Sequence, residues 1–413
     1  MSANILSNIE KSVPLIVELE TLLCAIPAMA PESDGEGELK KCEALESWLK
    51  KHGVNQLERH DAPDTRVPSG IRPNLVATIP GESDSKRLWI MSHLDVVPPG
   101  DLSMWTSDPW TVVQKDGKLY GRGVEDNQQG LVAATVAALA LLENGVKPPH
   151  TVKILFVADE EVGSAMGIQW LLANRNLFRA DDMVLIPDGG NRDGSIMEVA
   201  EKNLIWLKIH TKGVQCHGSM PDLGANAHLA AAELAVRLHD ELQLAFPIHD
   251  PLFDPDRSTF EPTKSEANVP NINSIPGDDV FYMDMRILPR YPIKQVMAEI
   301  DRIIAEVEKK RKVTISHEAV QSVESKSTSP DAPVVKSLAT AIKTVYGVDP
   351  SPIGIGGGTV GAYLRNAGVD SVVWSRLDES AHQPNEYAVI DNIVGDAKVM
   401  ALLMLEKRSI EKR

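Results

Sequence analysis

Residues 88–99 read LWIMSHLDVVPP. An apolar run, Leu88, Trp89, Ile90 and Met91, delivers His93 and Asp95 and then meets Pro98 and Pro99. A short apolar run bounded by turn residues predicts a buried strand, and an abrupt polar end suits a site at the carboxyl edge of an α/β sheet. His93 is then a metal ligand or a base, and Asp95 a candidate for holding its ring. A His and an Asp two residues apart also occur at ordinary strand ends. The pair needs partners from the rest of the chain.

Upstream, residues 4–27 and 37–53 read as helices, the second ended by Gly53. Residues 74–79 and 87–91 are strand-like around the turn-rich PGESDSK. Downstream, the loop GKLYGRGVEDNQQG leads into an alanine-rich helix at 130–144. A strand at 151–158 runs straight into DEEVGS, a helix follows at 164–174, and a strand at 183–186 ends in PDGG. Repeated strand, loop and helix predicts a parallel or mixed sheet covered by helices. Near residue 202 the texture changes. Strands at 204–211, 271–276, 280–288 and 313–317 alternate with helices at 225–241 and 293–309, which is the ferredoxin-like order. An α+β module is therefore expected as an insertion at 203–320. The other domain is discontinuous, 1–202 and 321–413, with residues 321–331 as the return linker. The α/β pattern resumes with a helix at 332–346, a Gly-rich loop at 354–361, a strand at 371–374, DESAHQPNE and a closing helix at 388–408.

Composition excludes several classes of partner. Asp and Glu outnumber Lys and Arg by 58 to 42, a net charge of −16, which argues against a nucleic-acid backbone. Cys24, Cys42 and Cys216 are too few and too scattered for a disulfide framework or a Cys-rich zinc site, and fit a reducing compartment. The first helix has no basic segment ahead of an apolar core, so it reads as amphipathic rather than as a signal peptide. No apolar run has the length of a membrane span. A cytoplasmic protein acting on a small molecule is expected.

Five clusters at strand ends carry metal-type side chains: His93 with Asp95, Asp126, Glu160 with Glu161, Asp188, and His382. Singly each has an ordinary explanation. Asp126 fits a helix cap, Glu160 and Glu161 a solvated turn, Asp188 before Gly189 and Gly190 a common turn, and His382 a surface loop. Together they would require five coincidences at strand ends. Two imidazoles and three or four carboxylates suit Zn²⁺, Co²⁺ or Mn²⁺ and exceed one tetrahedral ion's needs, which points to two ions bridged by a carboxylate. Such a pair polarises a carbonyl and acidifies a shared water, and a carboxylate outside the ligand set must then take the proton. Gly356, Gly358 and Gly361 satisfy G-x-G-x-x-G, but a lone match late in the chain, after Pro350 and Pro352, is weak support for a dinucleotide-binding oxidoreductase. A non-catalytic binding protein would be marked by a lost ligand, and none is lost.

His93-Leu-Asp95-Val-Val-Pro, Gly121-Arg-Gly-Val-Glu-Asp126, Asp159-Glu160-Glu161-Val-Gly163 and the late His382 resemble the zinc-dependent M20-type metallopeptidases and deacylases. That group includes succinyl-diaminopimelate desuccinylase, acetylornithine deacetylase, aminoacylase and the carboxypeptidase G type. The resemblance runs from about residue 70 to 395. It implies a mixed-sheet catalytic domain with two divalent ions, Zn²⁺ or else Co²⁺ or Mn²⁺, and an inserted ferredoxin-like domain that forms a homodimer. It makes Asp126 the bridging carboxylate, with His93 and Asp188 on one ion and Glu161 and His382 on the other. Glu160 becomes the general base and Asp95 the group orienting His93. One departure stands out: Asn127-Gln128-Gln129 follows the bridging aspartate where many members have Met-Lys. In the insertion, Gly213-Val-Gln-Cys-His217-Gly-Ser-Met-Pro221 resembles the segment whose histidine steadies the oxyanion in a partner's site. Asn226, Arg286 and the loop of Gly356, Gly357 and Gly358 resemble the binders of the substrate carboxylate. The implied reaction is hydrolysis of an amide bond beside a free carboxylate, in an N-acyl amino acid or a dipeptide. The compact insertion leans towards the deacylases.

Overall fold

The computed structural model describes residues 2–406. Eight strands form one sheet in the order Leu57–Pro63, Ile71–Ile79, His150–Val157, Ser83–His93, Met183–Asn191, Asp370–Arg376, Ile196–Glu201, Ser351–Ile355. The four from His150–Val157 to Asp370–Arg376 run parallel. Ile71–Ile79 pairs antiparallel with both its neighbours, and so does Asp370–Arg376 with Ile196–Glu201. This is the mixed sheet expected. Trp89, Ile90, Leu155, Leu185 and Val372 are fully buried, as in parallel strands shielded on both faces.

Parallel strands bring their carboxyl ends to one edge. His93 ends one of them, and Asp159, Glu160 and Glu161 follow His150–Val157. Asp188 lies late in Met183–Asn191, and His382 follows Asp370–Arg376. The helix Gln129–Glu143 is buried almost throughout, against these strands and against the helix Ile390–Leu405. At Gly130 it comes so near that a Cβ would stand 2.4 Å from the Pro187 carbonyl oxygen. Only glycine permits that approach, and it sets the start of the helix beside Asp188.

The chain divides into two compact units. One runs through Val199 and takes in Thr328–Pro352 and the residues from Tyr363 onward; the other is Ala200–Ser327 with Ile353–Ala362. The Gly-rich loop thus clusters with the second unit, although it follows the return linker in sequence. The second unit holds a four-stranded antiparallel sheet, Thr259–Ser265, Asp278–Ile287, Asn203–Lys212, Thr314–Val323, with helices Ala227–Ala245 and Ile293–Arg311. The ferredoxin-like order holds, but its second strand is Thr259–Ser265 rather than 271–276. That strand is mostly exposed, contains Pro262 and shifts register beside it, all features an edge strand tolerates. Within 271–276 only Ser274–Ile275 is extended, paired with Cys216–His217.

Other differences have local causes. The predicted first helix is two, Ser2–Lys11 and Val13–Cys24, because Pro14 lacks an amide proton and is accommodated only in a first helical turn. Leu57–Pro63 is a polar edge strand with no apolar run to announce it. The closing helix is Ile390–Leu405, and residues 407–408 of its predicted span lie outside the described residues. Among the described residues no helix is long and apolar enough to cross a membrane.

Candidate metal centre

The strand ends converge on Asp126. His93 Nε2 lies 2.9 Å from Asp126 Oδ1 and 3.6 Å from Asp188 Oδ1. On the other side, His382 Nε2 is 3.0 Å from Asp126 Oδ2 and 3.1 Å from Glu161 Oε2. Two sets of donors result, His93 with Asp126 and Asp188, and Asp126 with Glu161 and His382. Within each set the donor atoms lie within 4.8 Å of one another. One oxygen of Asp126 faces each set, which is what a bridging carboxylate requires.

The electrostatics fit cations. Burial pushes the carboxyls of Asp188 and Glu161 above their ordinary range, although His93 and His382 pull the other way. Burial acts likewise on Asp126, but the hydrogen bonds to His382 and His93 outweigh it and hold that carboxyl low. His382, bonded to Asp126 and Glu161, is pushed up to about 10. Without a metal the imidazoles therefore act as the counter-cations of a crowd of carboxylates. Glu161 Oε1 is buried with no hydrogen-bond partner, an orphan a metal would satisfy. Two imidazoles with three carboxylates are suitable donors for a pair of divalent ions.

Behind the donors lies a frame of hydrogen bonds. The His93 Nδ1 is 2.9 Å from the main-chain oxygen of Asp95 and 3.5 Å from its carboxylate. That carboxylate accepts the amides of Glu160 and Glu161, each at 3.0 Å. Asp95 thus ties the His93 strand end to the turn carrying Glu160 and Glu161, a wider task than holding one ring. Asn127 bridges similarly: its Oδ1 accepts the His93 amide at 3.3 Å, and its Nδ2 donates to Pro187 O at 2.6 Å and Asp188 Oδ1 at 2.7 Å. Gln129 Nε2 donates to Arg376 O at 2.7 Å, fixing the strand that leads to His382. The departure after Asp126 is therefore a working part of the frame.

Two buried carboxylates that sequence reasoning passed over clasp the bridging turn to the His382 loop. Glu125 accepts the amides of Asp378, Ser380 and Ala381 and the Ser380 hydroxyl. Glu386 returns the grip, accepting the amides of Gly123, Glu125 and Asp126 at 2.9–3.1 Å and the Arg122 guanidinium at 2.7 Å. Burial raises the Glu386 carboxyl to about 7. The only sequence signal is position: one glutamate precedes Asp126, and the other follows His382 by four residues.

The remaining predicted site residues belong to the second unit. His217 is exposed on the short strand Cys216–His217, its Nδ1 2.8 Å from Ser219 Oγ. Asn226 caps the helix Ala227–Ala245, its Oδ1 accepting the Leu229 amide at 2.9 Å, so that oxygen already has a structural partner. Arg286 donates from Nη1 to Gly356 O at 2.8 Å, and Gly357 and Gly358 continue that loop. A Cβ at Gly356 or Gly358 would meet nothing, so the loop offers open backbone.

Comparison with known proteins agrees with this geometry. The model of peptidase family M20/M25/M40 matches residues 89–406. An uncharacterized metallohydrolase of Methanococcus maripaludis is 38% identical over 93% of this chain and 97% of its own. A succinyl-diaminopimelate desuccinylase of Nautilia profundicola is 26% identical over 90% and 93%. Among solved structures, human carnosine dipeptidase 1 superposes with a TM-score of 0.72 over 98% of each chain at 17% identity, a likeness of fold. The chain belongs to peptidase family M20/M25/M40, and it is a metal-dependent hydrolase.

Proposed function

We propose that this metallohydrolase holds two divalent ions, Zn²⁺ or else Co²⁺ or Mn²⁺, and deacylates an N-acyl amino acid bearing a free carboxylate. The observation that carries the two-ion reading is the Asp126 carboxylate, with one oxygen facing each donor set. His93 and Asp188 would hold one ion, and Glu161 and His382 the other. Bound there, the ions would polarise the amide carbonyl and acidify the attacking water.

Glu160 lies in neither donor set. Its carboxyl is raised well above the ordinary glutamate range, by burial first and then by the Asp188 charge. Nearby cations would pull it back towards a value at which it takes a proton from the attacking water and returns it to the departing amine. Asp95 keeps Glu160 in place through its amide. Arg286 and the loop of Gly356, Gly357 and Gly358 take the substrate carboxylate, with Asn226 offering only its amide N–H. His217 steadies the developing oxyanion in a partner copy. The cysteines are free thiols, which supports a cytoplasmic setting.

The partner is a second copy of the chain. Support comes from the second unit's exposed edge strand, Thr259–Ser265, and from Leu229, Val236 and Leu244, which are 46–79% exposed on the helix Ala227–Ala245. Sedimentation is expected to give a dimer. A fully active monomer would remove the partner role of His217.

The N-acyl preference draws on the desuccinylases among the relatives, which are 26–29% identical to this chain. A panel of N-succinyl and N-acetyl amino acids and of dipeptides, assayed with Zn²⁺, Co²⁺ and Mn²⁺, tests it. Expected is a kcat/KM of about 10⁴ M⁻¹s⁻¹ or more on at least one N-acyl amino acid. Turnover of dipeptides alone would replace the substrate and keep the metal chemistry. No turnover of any member would sink the proposal.

A further inference from the structure

In the second unit's sheet, Ile205, Leu207, Met283 and Met285 are buried, while the alternate Trp206, Asp284 and Arg286 occupy the more open face. Asp284 and Trp206 are opposed in register, so their side chains share that face. The Trp206 indole donates to Asp284 Oδ2 at 2.9 Å. The same carboxylate holds Arg286 through two parallel bonds, Nε to Oδ1 at 2.6 Å and Nη2 to Oδ2 at 2.9 Å. On the third nitrogen, Nη1 donates to Gly356 O at 2.8 Å.

A guanidinium carries five N–H groups in one plane. Three are engaged here, and the remaining two sit one on each terminal nitrogen. A carboxylate can take such a pair side by side. With its plane already fixed, Arg286 loses little freedom when a ligand arrives. Asp284 also offsets the arginine's charge, so the direction of the remaining N–H groups counts for more than bare attraction. Trp206 is 41% exposed, and its N–H is already donated to Asp284. Its ring therefore offers a ligand only apolar surface.

We propose that Asp284 and Trp206 are positioning residues for recognition of the substrate's free carboxylate, holding Arg286 so that its two unengaged N–H groups receive it. This rests on the assignment of Arg286 as carboxylate binder. A merely structural pair on a sheet surface would affect folding and every substrate alike. A positioning pair affects only substrates that carry the carboxylate.

The test measures kcat and KM for the best N-acyl amino acid of the panel and for the same compound with its carboxylate amidated. The proteins are wild type, Trp206→Phe and Asp284→Asn, each loaded with metal. Phenylalanine keeps an aromatic ring on that face and removes the N–H, together with the fused five-membered ring that carries it. Expected is a KM for the acid raised about threefold to tenfold in Trp206→Phe and about 30-fold in Asp284→Asn, with kcat within about twofold and the amide's constants unchanged. The preference for acid over amide falls accordingly. An unchanged preference in these variants, or equal losses on both compounds, overturns the positioning role. If Asp284→Asn fails to fold, Trp206→Phe decides alone. Wild type with no preference for the acid overturns the Arg286 assignment itself, and that result is visible before any variant is compared.

Discussion

Glu160→Gln is expected to retain its metal and to lose turnover by about 10²–10⁴-fold, the usual contribution of a positioned general base. Glutamine keeps the shape of the side chain and removes its ability to accept a proton. The frame around it should survive, because Asp95 grips residue 160 by its backbone amide. Both donor sets should survive too, since Glu160 contributes to neither. The loss should therefore fall on kcat, with KM and metal content near those of wild type. Metal analysis beside steady-state kinetics checks this. A near-normal kcat would reassign the base, and a loss of metal would show that Glu160 is a ligand.

Asp126→Ala should do the reverse. One carboxylate serves both donor sets, so its removal should lower metal content from two equivalents to less than one. Activity should fall about 10³-fold or more, because Lewis-acid stabilisation of the transition state is worth several kcal/mol and about 1.4 kcal/mol is a factor of ten. His382→Ala removes a ligand from one set only and should leave one tight equivalent. Equal metal content in the two variants would refute the shared carboxylate. Proton competition gives an independent check. In the metal-free protein the His382 pKa, raised to about 10 by Asp126 and Glu161, keeps the imidazole protonated at neutral pH, so binding must expel that proton. Affinity should then rise about tenfold per pH unit from this proton alone until the pH approaches that pKa. The ion pairing itself has the opposite sign for the metal-free fold. Its stabilisation is complete below the unfolded histidine pKa of about 6.5 and is lost as pH rises towards 10.

Much of this arrangement is legible in the sequence, for a physical reason. A strand buried on both faces must be apolar, so His93 at the end of LWIMSH and the acidic residues after the 151–158 run break the pattern visibly. The convergence of those breaks follows from parallel strands, whose carboxyl ends share an edge. Thr259–Ser265 was hidden because an edge strand with one exposed face needs no apolar run and tolerates Pro262. Glu125 and Glu386 were hidden because a buried glutamate that accepts backbone amides looks, in one dimension, like a solvated one. Spacing pairs the Asp95 carboxylate with His93, two residues away, whereas its 3.0 Å partners are the amides of Glu160 and Glu161, about 65 residues on. Local spacing suggests which side chains carry chemistry. It says less about what holds them.

The clasp between the bridging turn and the His382 loop also bears on the order in which the protein is made. Ribosomal synthesis delivers His93, Asp126, Glu161 and Asp188 well before His382 and Glu386. Until residue 386 has emerged, the amides of Gly123, Glu125 and Asp126 lack the carboxylate that they meet in the finished fold. The second donor set thus cannot close until the segment that carries His382 and Glu386 has been made, and the bridging turn of Asp126 is not fully gripped before then.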